Sequence, residues 1–254
     1  MHPEKCVFAL PQVQYLGFVL AEKCVAASPE QVKAVKNFPT PTCVKDIRQF
    51  LGLTSCYRRL VPNIAETAKS LTSLTRKDRP FAWGPSQQGA FRKLKEKLDT
   101  TPVLNFPDFS LPFILMTDAS QTAMGAFLSQ VQNGEERTIA YTSRQTNKAE
   151  QSYAATELEM LCLVWANKQF RCYQHGRKFV ARTDHAALTY LRNFAYQNNR
   201  LLRWSLKLAE LDFVVVHHAV KKMAHVDAHS HHVGTIVQGG TMEKHTRKTS
   251  GLMT

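Results

Sequence analysis

Asp118, Asp184, Asp227 and a glutamate at position 157 or 159 are the residues of this 254-residue chain whose types and spacing could do chemistry. Phe113-Ile114-Leu115-Met116-Thr117 is an almost unbroken apolar run that ends at Asp118, and Phe179-Val180-Ala181-Arg182-Thr183 ends at Asp184. Such runs read as buried central strands, and an acid at the end of one is presented at the sheet edge. Glu157 and Glu159 fall near the start of a long helix expected over 149–173, and Asp227 lies in a polar, His-rich segment. Carboxylates gathered in this way repel one another unless cations occupy the space between them. Their oxygens are hard ligands that suit Mg²⁺ or Mn²⁺. Two such ions about 4 Å apart can activate water and stabilise the leaving oxygen in phosphodiester cleavage. Taken singly, each acid reads first as a cap or a surface charge. The repeated Thr-Asp strand ends at Thr117-Asp118 and Thr183-Asp184 resist that reading. Helical phase alone does not choose between Glu157 and Glu159.

The elements that must position these acids follow from periodicity. Met124–Gln130 and Thr138–Ser143 read as two further strands around the turn Asn133-Gly134. Short helices are expected at 186–191 and 201–211, and a last strand at 213–216. The order is therefore three strands, helix, strand, helices, strand. The first half reads differently. Gln14–Leu20 is one β-rich stretch, and Cys24–Ala27 could pair back on it. Ser28-Pro29-Glu30-Gln31 opens a helix with a capping box. Thr42 caps a second helix, a third runs over 64–74, and a fourth over 86–98. This half is an α+β unit with no catalytic cluster of its own. Within it, Tyr57-Arg58-Arg59 reads either as a grip on a phosphate backbone or as a solvated turn beside a core tyrosine.

Composition narrows the partners. Hydrophobic residues make up 44% and aromatics 9%, which excludes disorder for most of the chain. There are 33 Lys+Arg against 20 Asp+Glu, a net charge of +13. The excess is spread over both halves, with 16 basic and 9 acidic residues through position 110 and 17 and 11 after it. A continuous polyanion, nucleic acid above all, suits such a surface. No apolar run is long enough to span a membrane, and the N-terminus lacks the pattern of a signal peptide. Six sparse cysteines without metal-ligand spacing point to a reducing, intracellular compartment, cytoplasm or nucleus, and read as buried small apolar residues. Six of the ten histidines fall between His217 and His232. They read as proton shuttles or phosphate contacts, as an adventitious metal site, or as drift on a tolerant surface.

Motifs in a consistent order carry a resemblance. Tyr15-Leu16-Gly17, Phe38-Pro39-Thr40-Pro41-Thr42, Arg48-Gln49-Phe50-Leu51-Gly52-Leu53, Tyr57-Arg58-Arg59, Phe81-Ala82-Trp83, Thr101-Pro102-Val103-Leu104, Thr117-Asp118-Ala119-Ser120, Gly125–Gln130 and Thr183–Leu188 resemble the Pol polyprotein of Gypsy-type LTR retrotransposons. The likeness covers residues 4–232 and runs from the end of reverse transcriptase through RNase H. It implies a reverse transcriptase C-terminal remnant over 1–108, made of primer-grip strands, thumb and connection. An α/β RNase H-like domain would follow over 109–232, a mixed five-stranded sheet with flanking helices, and then a disordered tail over 233–254. It further implies an endonuclease that cuts the RNA strand of an RNA–DNA hybrid with two Mg²⁺ or Mn²⁺ ions held by Asp118, Glu159, Asp184 and Asp227. Glu159 is taken over Glu157 because the family's metal-binding glutamate is the second one, followed by apolar residues. His185, in the family motif, and Arg58 and Arg59 would contact nucleic acid. Two departures bear on this expectation. There is no Asp-Asp dipeptide of the polymerase palm, so polymerase activity is not expected of this chain alone. Met223–His231 keeps the Asp and Ser of the family's last motif but loses its Asn, the Ala before the Asp, and the Leu and Arg that flank the Ser. A catalytically decayed nucleic-acid-binding remnant is therefore the alternative. A third reading is an accessory piece that docks on a polymerase palm, or self-associates, through its thumb.

Overall fold

The computed structural model describes residues 10–77, 79–100, 102–186, 188 and 199–217. The expected helix at 186–191 for the most part, the segment around Asp227, the His218–His232 histidines and the tail at 233–254 lie outside them.

Two sheets organise the described chain. The first has four strands in the order β1 (Gln12–Tyr15), β2 (Phe18–Ala21), β3 (Cys24–Ala27) and β4 (Leu104–Asn105), with β1 to β3 pairing antiparallel as a meander. The single stretch expected over Gln14–Leu20 is broken at Leu16-Gly17, whose φ values of 49° and 84° make the tight turn between β1 and β2. A Cβ at Gly17 would sit 2.8 Å from the Tyr57 hydroxyl, so glycine is needed there for space as well as for φ.

Helices α1 (Pro29–Lys36), α2 (Val44–Ser55), α3 (Ile64–Thr67), α4 (Lys69–Leu74) and α5 (Pro85–Asp99) fill the rest of the first half. Their apolar faces meet around Val35, Ile47, Phe50, Leu71, Phe91 and Leu94, all buried. The caps differ from the sequence reading. Ser28 is buried and makes no side-chain cap; its backbone N–H donates to the Gly17 carbonyl instead. At α2 the cap position belongs to Cys43, and the Thr42 hydroxyl and N–H both donate to Asp46 one turn in. Residues 64–74 form two short helices rather than one, parted at Ala68.

The second sheet is mixed and five-stranded, in the order β7 (Glu135–Gln145), β6 (Ala123–Gln132), β5 (Phe113–Ala119), β8 (Phe179–Thr183), β9 (Phe213–His217). β5, β6 and β7 are antiparallel neighbours, whereas β8 runs parallel to β5 and to β9. The Asn133-Gly134 turn has φ of 54° and 82° and closes the β6–β7 hairpin. On one face, α6 (Ala155–Gln169) and α8 (Asn199–Ala209) bury Met160, Leu163, Ala166, Leu201 and Leu208 against Phe113, Leu115, Leu128 and Phe179. The long helix expected over 149–173 is three pieces: a 3₁₀ turn at Glu150–Ser152, α6, and α7 (Arg171–Gln174). Asn147 and Glu150 exchange hydrogen bonds and Arg144 pairs with Glu150, which fixes the turn before α6 can begin.

Of the described cysteines only Cys162 is buried. Cys43, Cys56 and Cys172 are exposed, against the expectation of buried thiols. No described helix is long and apolar enough to cross a membrane.

Candidate active site at the ends of two parallel strands

β5 and β8 run side by side in register, Met116 opposite Arg182. Two residues further along come Asp118, within β5, and Asp184, just past the end of β8, so the parallel pair delivers two carboxylates to one end of the sheet. Asp118 is open to solvent on one side and crowded by protein on the other. That crowding raises its pKa first, and the negative charges of Asp184 and Glu66 raise it further.

Glu159 comes from the second turn of α6 and is only 7% exposed. Its Oε1 accepts the Ala119 backbone N–H at 3.1 Å, while Oε2 is buried without a hydrogen-bond partner. Burial pushes its pKa up to about 8, and Asp184 and Asp118 add to this against the lowering effect of the Ala119 bond. A buried, unpartnered carboxylate oxygen between two further acids calls for a cation. The donor set is hard oxygen, which fits Mg²⁺ or Mn²⁺. Among the described residues no three of His, Cys, Asp and Glu close to the spacing of a finished metal site. Asp227, the expected fourth acid, lies outside the described residues.

Glu157 has other work. Its Oε2 accepts the Ala154 N–H at the start of α6 and its Oε1 accepts from Arg200 at 3.0 Å. The two glutamates are thus separated by environment, one facing the acids and one capping the helix.

The histidines beside the acids are tethered. His185 places Nε2 2.9 Å from the Thr156 hydroxyl, and its N–H donates to the Thr183 hydroxyl. His217, at the end of β9, places Nε2 3.0 Å from the Asp184 carbonyl oxygen. Arg58 and Arg59 are exposed in the turn after α2, while Tyr57 is buried and donates to the Gly17 carbonyl. They stand in the first half and are not gathered into the acid cluster.

Two neighbours of the site were not foreseen. Cys162 is buried one turn beyond Glu159, with Sγ 3.5 Å from the Asp118 carbonyl and 3.4 Å from that of Gly125. Burial raises its pKa strongly and keeps it a neutral thiol. Glu66 belongs to α3 in the first half, and α3 is held against β7 by Ala65 N–H donating to the Ser143 hydroxyl and Gln145 Nε2 donating to the Ala65 carbonyl. Nothing in the local sequence of either residue signals this, because each approach is created by long-range packing.

Residues 108–211 match the RNase H-like domain found in reverse transcriptase. Among curated relatives, the retrovirus-related Pol polyprotein from transposon 297 of Drosophila melanogaster is 39% identical over 226 residues, covering 89% of this chain and 21% of that protein. The corresponding polyprotein from transposon gypsy of the same organism is 36% identical over 214 residues, covering 79% and 20%. The chain therefore spans about a fifth of the length of these relatives. The fold is similar to that of a foamy viral protease-reverse transcriptase solved in complex with RNA/DNA hybrid, with a TM-score of 0.69, 17% identity, and 94% of this chain and 32% of that one covered.

Proposed function

Residues 108–211 belong to the RNase H-like domain family of reverse transcriptase, in a chain related to retrotransposon Pol polyproteins, and on that premise we propose that it is an RNase H-type endonuclease that cleaves the RNA strand of an RNA–DNA hybrid. The observation that carries this reading is the buried, unpartnered Oε2 of Glu159 beside Asp118 and Asp184. Asp118, Glu159 and Asp184 would hold Mg²⁺ or Mn²⁺, with Asp227 completing the set for a second ion. Such ions, when bound, supply Lewis-acid activation of water and charge neutralisation at the departing 3′ oxygen.

The chain's own residues prepare that chemistry. The Ala119 N–H fixes one oxygen of Glu159 and so aims the other at the site. Asp118 and Asp184, both exposed, stand where a phosphate can approach. The Thr156 hydroxyl fixes the ring of His185 directly after Asp184, where it can meet a phosphate oxygen or receive a proton. Discrimination of RNA from DNA rests on 2′-OH contacts in the shallow minor groove. The reading extends to residues 1–108 as the C-terminal part of a reverse transcriptase, which adds backbone affinity through groups such as Arg58 and Arg59.

Incubating the full chain with a hybrid labelled on its RNA strand tests the proposal. Cleavage is expected with Mg²⁺, not with EDTA, and Asp118→Asn is expected to lower it by roughly 100-fold or more. Hybrid binding without metal-dependent cleavage would instead establish the second reading, a decayed binding module, which the altered Met223–His231 segment favours.

A further inference from the structure

A row of three residues links α3 of the first half to the acid cluster. Ser143, Gly125 and Asp118 are register partners on β7, β6 and β5, so their side-chain positions lie on one face of the sheet. Helix α3 is docked on that row. The Ala65 N–H donates to the Ser143 hydroxyl at 3.1 Å, and the Asn63 side chain fills the space that a Cβ on Gly125 would take. Gln145, two residues past Ser143 on β7, donates to the Ala65 carbonyl and fixes the helix a second time. Ile64, between these contacts, is buried. Neighbouring strands lie about 4.8 Å apart, so Gly125 under Asn63 is one strand from Asp118. Glu66 follows Ala65 directly, is exposed, and its charge reaches Asp118. Among the described residues, no cation or hydrogen-bond donor pairs with its carboxylate.

We propose that Glu66 is a further carboxylate of the acid cluster, supplied by the first half, that strengthens its hold on a divalent cation. The inference rests on the metal-binding reading of Asp118, Glu159 and Asp184 and adds a residue to it. Like charges held together by a built contact repel one another unless a cation lies among them. The dock of α3 is such a contact, because Ser143, Gly125 and Gln145 fix where Glu66 stands. Glu159 gives the independent sign that a cation belongs here. It is 7% exposed, and its Oε2 has no hydrogen-bond partner. Among the described residues no three acids close to ligand spacing, so Glu66 acts on the cation by charge rather than as a direct ligand. A four-residue helix of the first half thereby tunes the electrostatics of a site built on the second sheet.

The test is the Mn²⁺ affinity of the full chain without nucleic acid, read by electron paramagnetic resonance of the free ion. Asp118→Asn marks the site, and only the Mn²⁺ binding that it removes is assigned to the acids. Within that binding, Glu66→Gln is expected to weaken affinity by roughly 3- to 10-fold, the scale of one charge acting across a partly solvated gap. Glu66→Asp, which keeps the charge, is expected to retain most of the affinity. Glu135→Gln is the charge-matched control, since Glu135 stands about 27 Å along β7 from Ser143, and it is expected to change nothing. No loss in Glu66→Gln, or an equal loss in Glu135→Gln, would overturn the proposal while leaving Asp118, Glu159 and Asp184 to hold the metal. A loss as large in Glu66→Asp as in Glu66→Gln would assign the effect to side-chain fit rather than charge, and overturns it too. Mn²⁺ binding that Asp118→Asn leaves untouched, or none at all, would refute the metal reading and the proposal together. A chain that shows the expected Mn²⁺ pattern yet never cleaves hybrid refutes the nuclease reading alone.

Discussion

Glu159 sits in a place that opposes its ionisation: burial first, then Asp184 and Asp118, hold its pKa at about 8, against 4.5 for the free side chain. The metal-free folded protein therefore keeps a proton that the unfolded chain gives up near pH 4.5. That difference stabilises the fold fully below pH 4.5 and is lost as pH rises through about 8. The melting temperature of the chain in EDTA is expected to fall between pH 5 and pH 8.5, and Glu159→Gln, which never ionises, is expected to flatten this dependence. Added Mg²⁺ should raise the melting temperature more at pH 8 than at pH 5.5, because a cation stabilises the ionised form. A wild-type curve as flat as that of Glu159→Gln would contradict the assignment. For cleavage, Glu159→Gln should cost on the order of 100-fold or more. Glu157→Gln should cost only a few-fold, by loosening the start of α6 and its pairing with Arg200.

α3 is four residues long and has no stability of its own, so its position depends on what it docks against. Asn63, at φ 50°, opens it and lies over Gly125, where a Cβ would fall 2.2 Å from the Asn63 side-chain oxygen. Gly125 pairs with Asp118 across β5 and β6, so the docking of α3 also brings Glu66 within electrostatic reach of Asp118. Gly125→Ala is expected to destabilise the chain by about 1–3 kcal/mol, the usual range for overpacking. Asn63→Gly, compatible with the left-handed backbone there, should recover most of that loss in the double variant, and denaturant unfolding of all four proteins reads the coupling. Additive effects would show that the two residues do not meet. The same element marks where sequence reasoning stops. The strand-end acids were legible because apolar runs fix burial and direction together. The split at Ala68, the unused Ser28 cap and the Leu16-Gly17 break were not, since each turns on which partner a polar group finds after packing. The proximity of Glu66 to Asp118 spans two halves of the chain, and no local pattern encodes it.

At the scale of the whole molecule, the outer strand β7 couples the two sheets. Its backbone and side chains reach the first half at Tyr141 N–H to the Arg59 carbonyl (2.9 Å), Ser143 to Ala65, and Gln145 to the Ala65 carbonyl. Further back, Gln130 both donates to the Asp108 carbonyl and accepts from the Asp108 N–H, which pins the entry to β5. An edge strand left bare is a template for pairing with another chain, and here the first half covers part of it. This coupling implies that the chain melts as one cooperative body although its described residues form two sheets, each with its own buried apolar residues. Calorimetry is expected to show a single transition for residues 1–254. A chain beginning at residue 109 should melt at a lower temperature and show self-association in size-exclusion chromatography, because β7 loses its cover. Two resolved transitions, or a truncated chain that is monomeric with an unchanged melting temperature, would mean that the contacts along β7 contribute nothing to the fold. The truncated chain keeps 17 basic and 11 acidic residues, a net charge of +6, which makes that assay sharper, since repulsion between copies opposes nonspecific association at low salt. Self-association of the truncated chain that persists at low salt would therefore come from pairing at the uncovered edge.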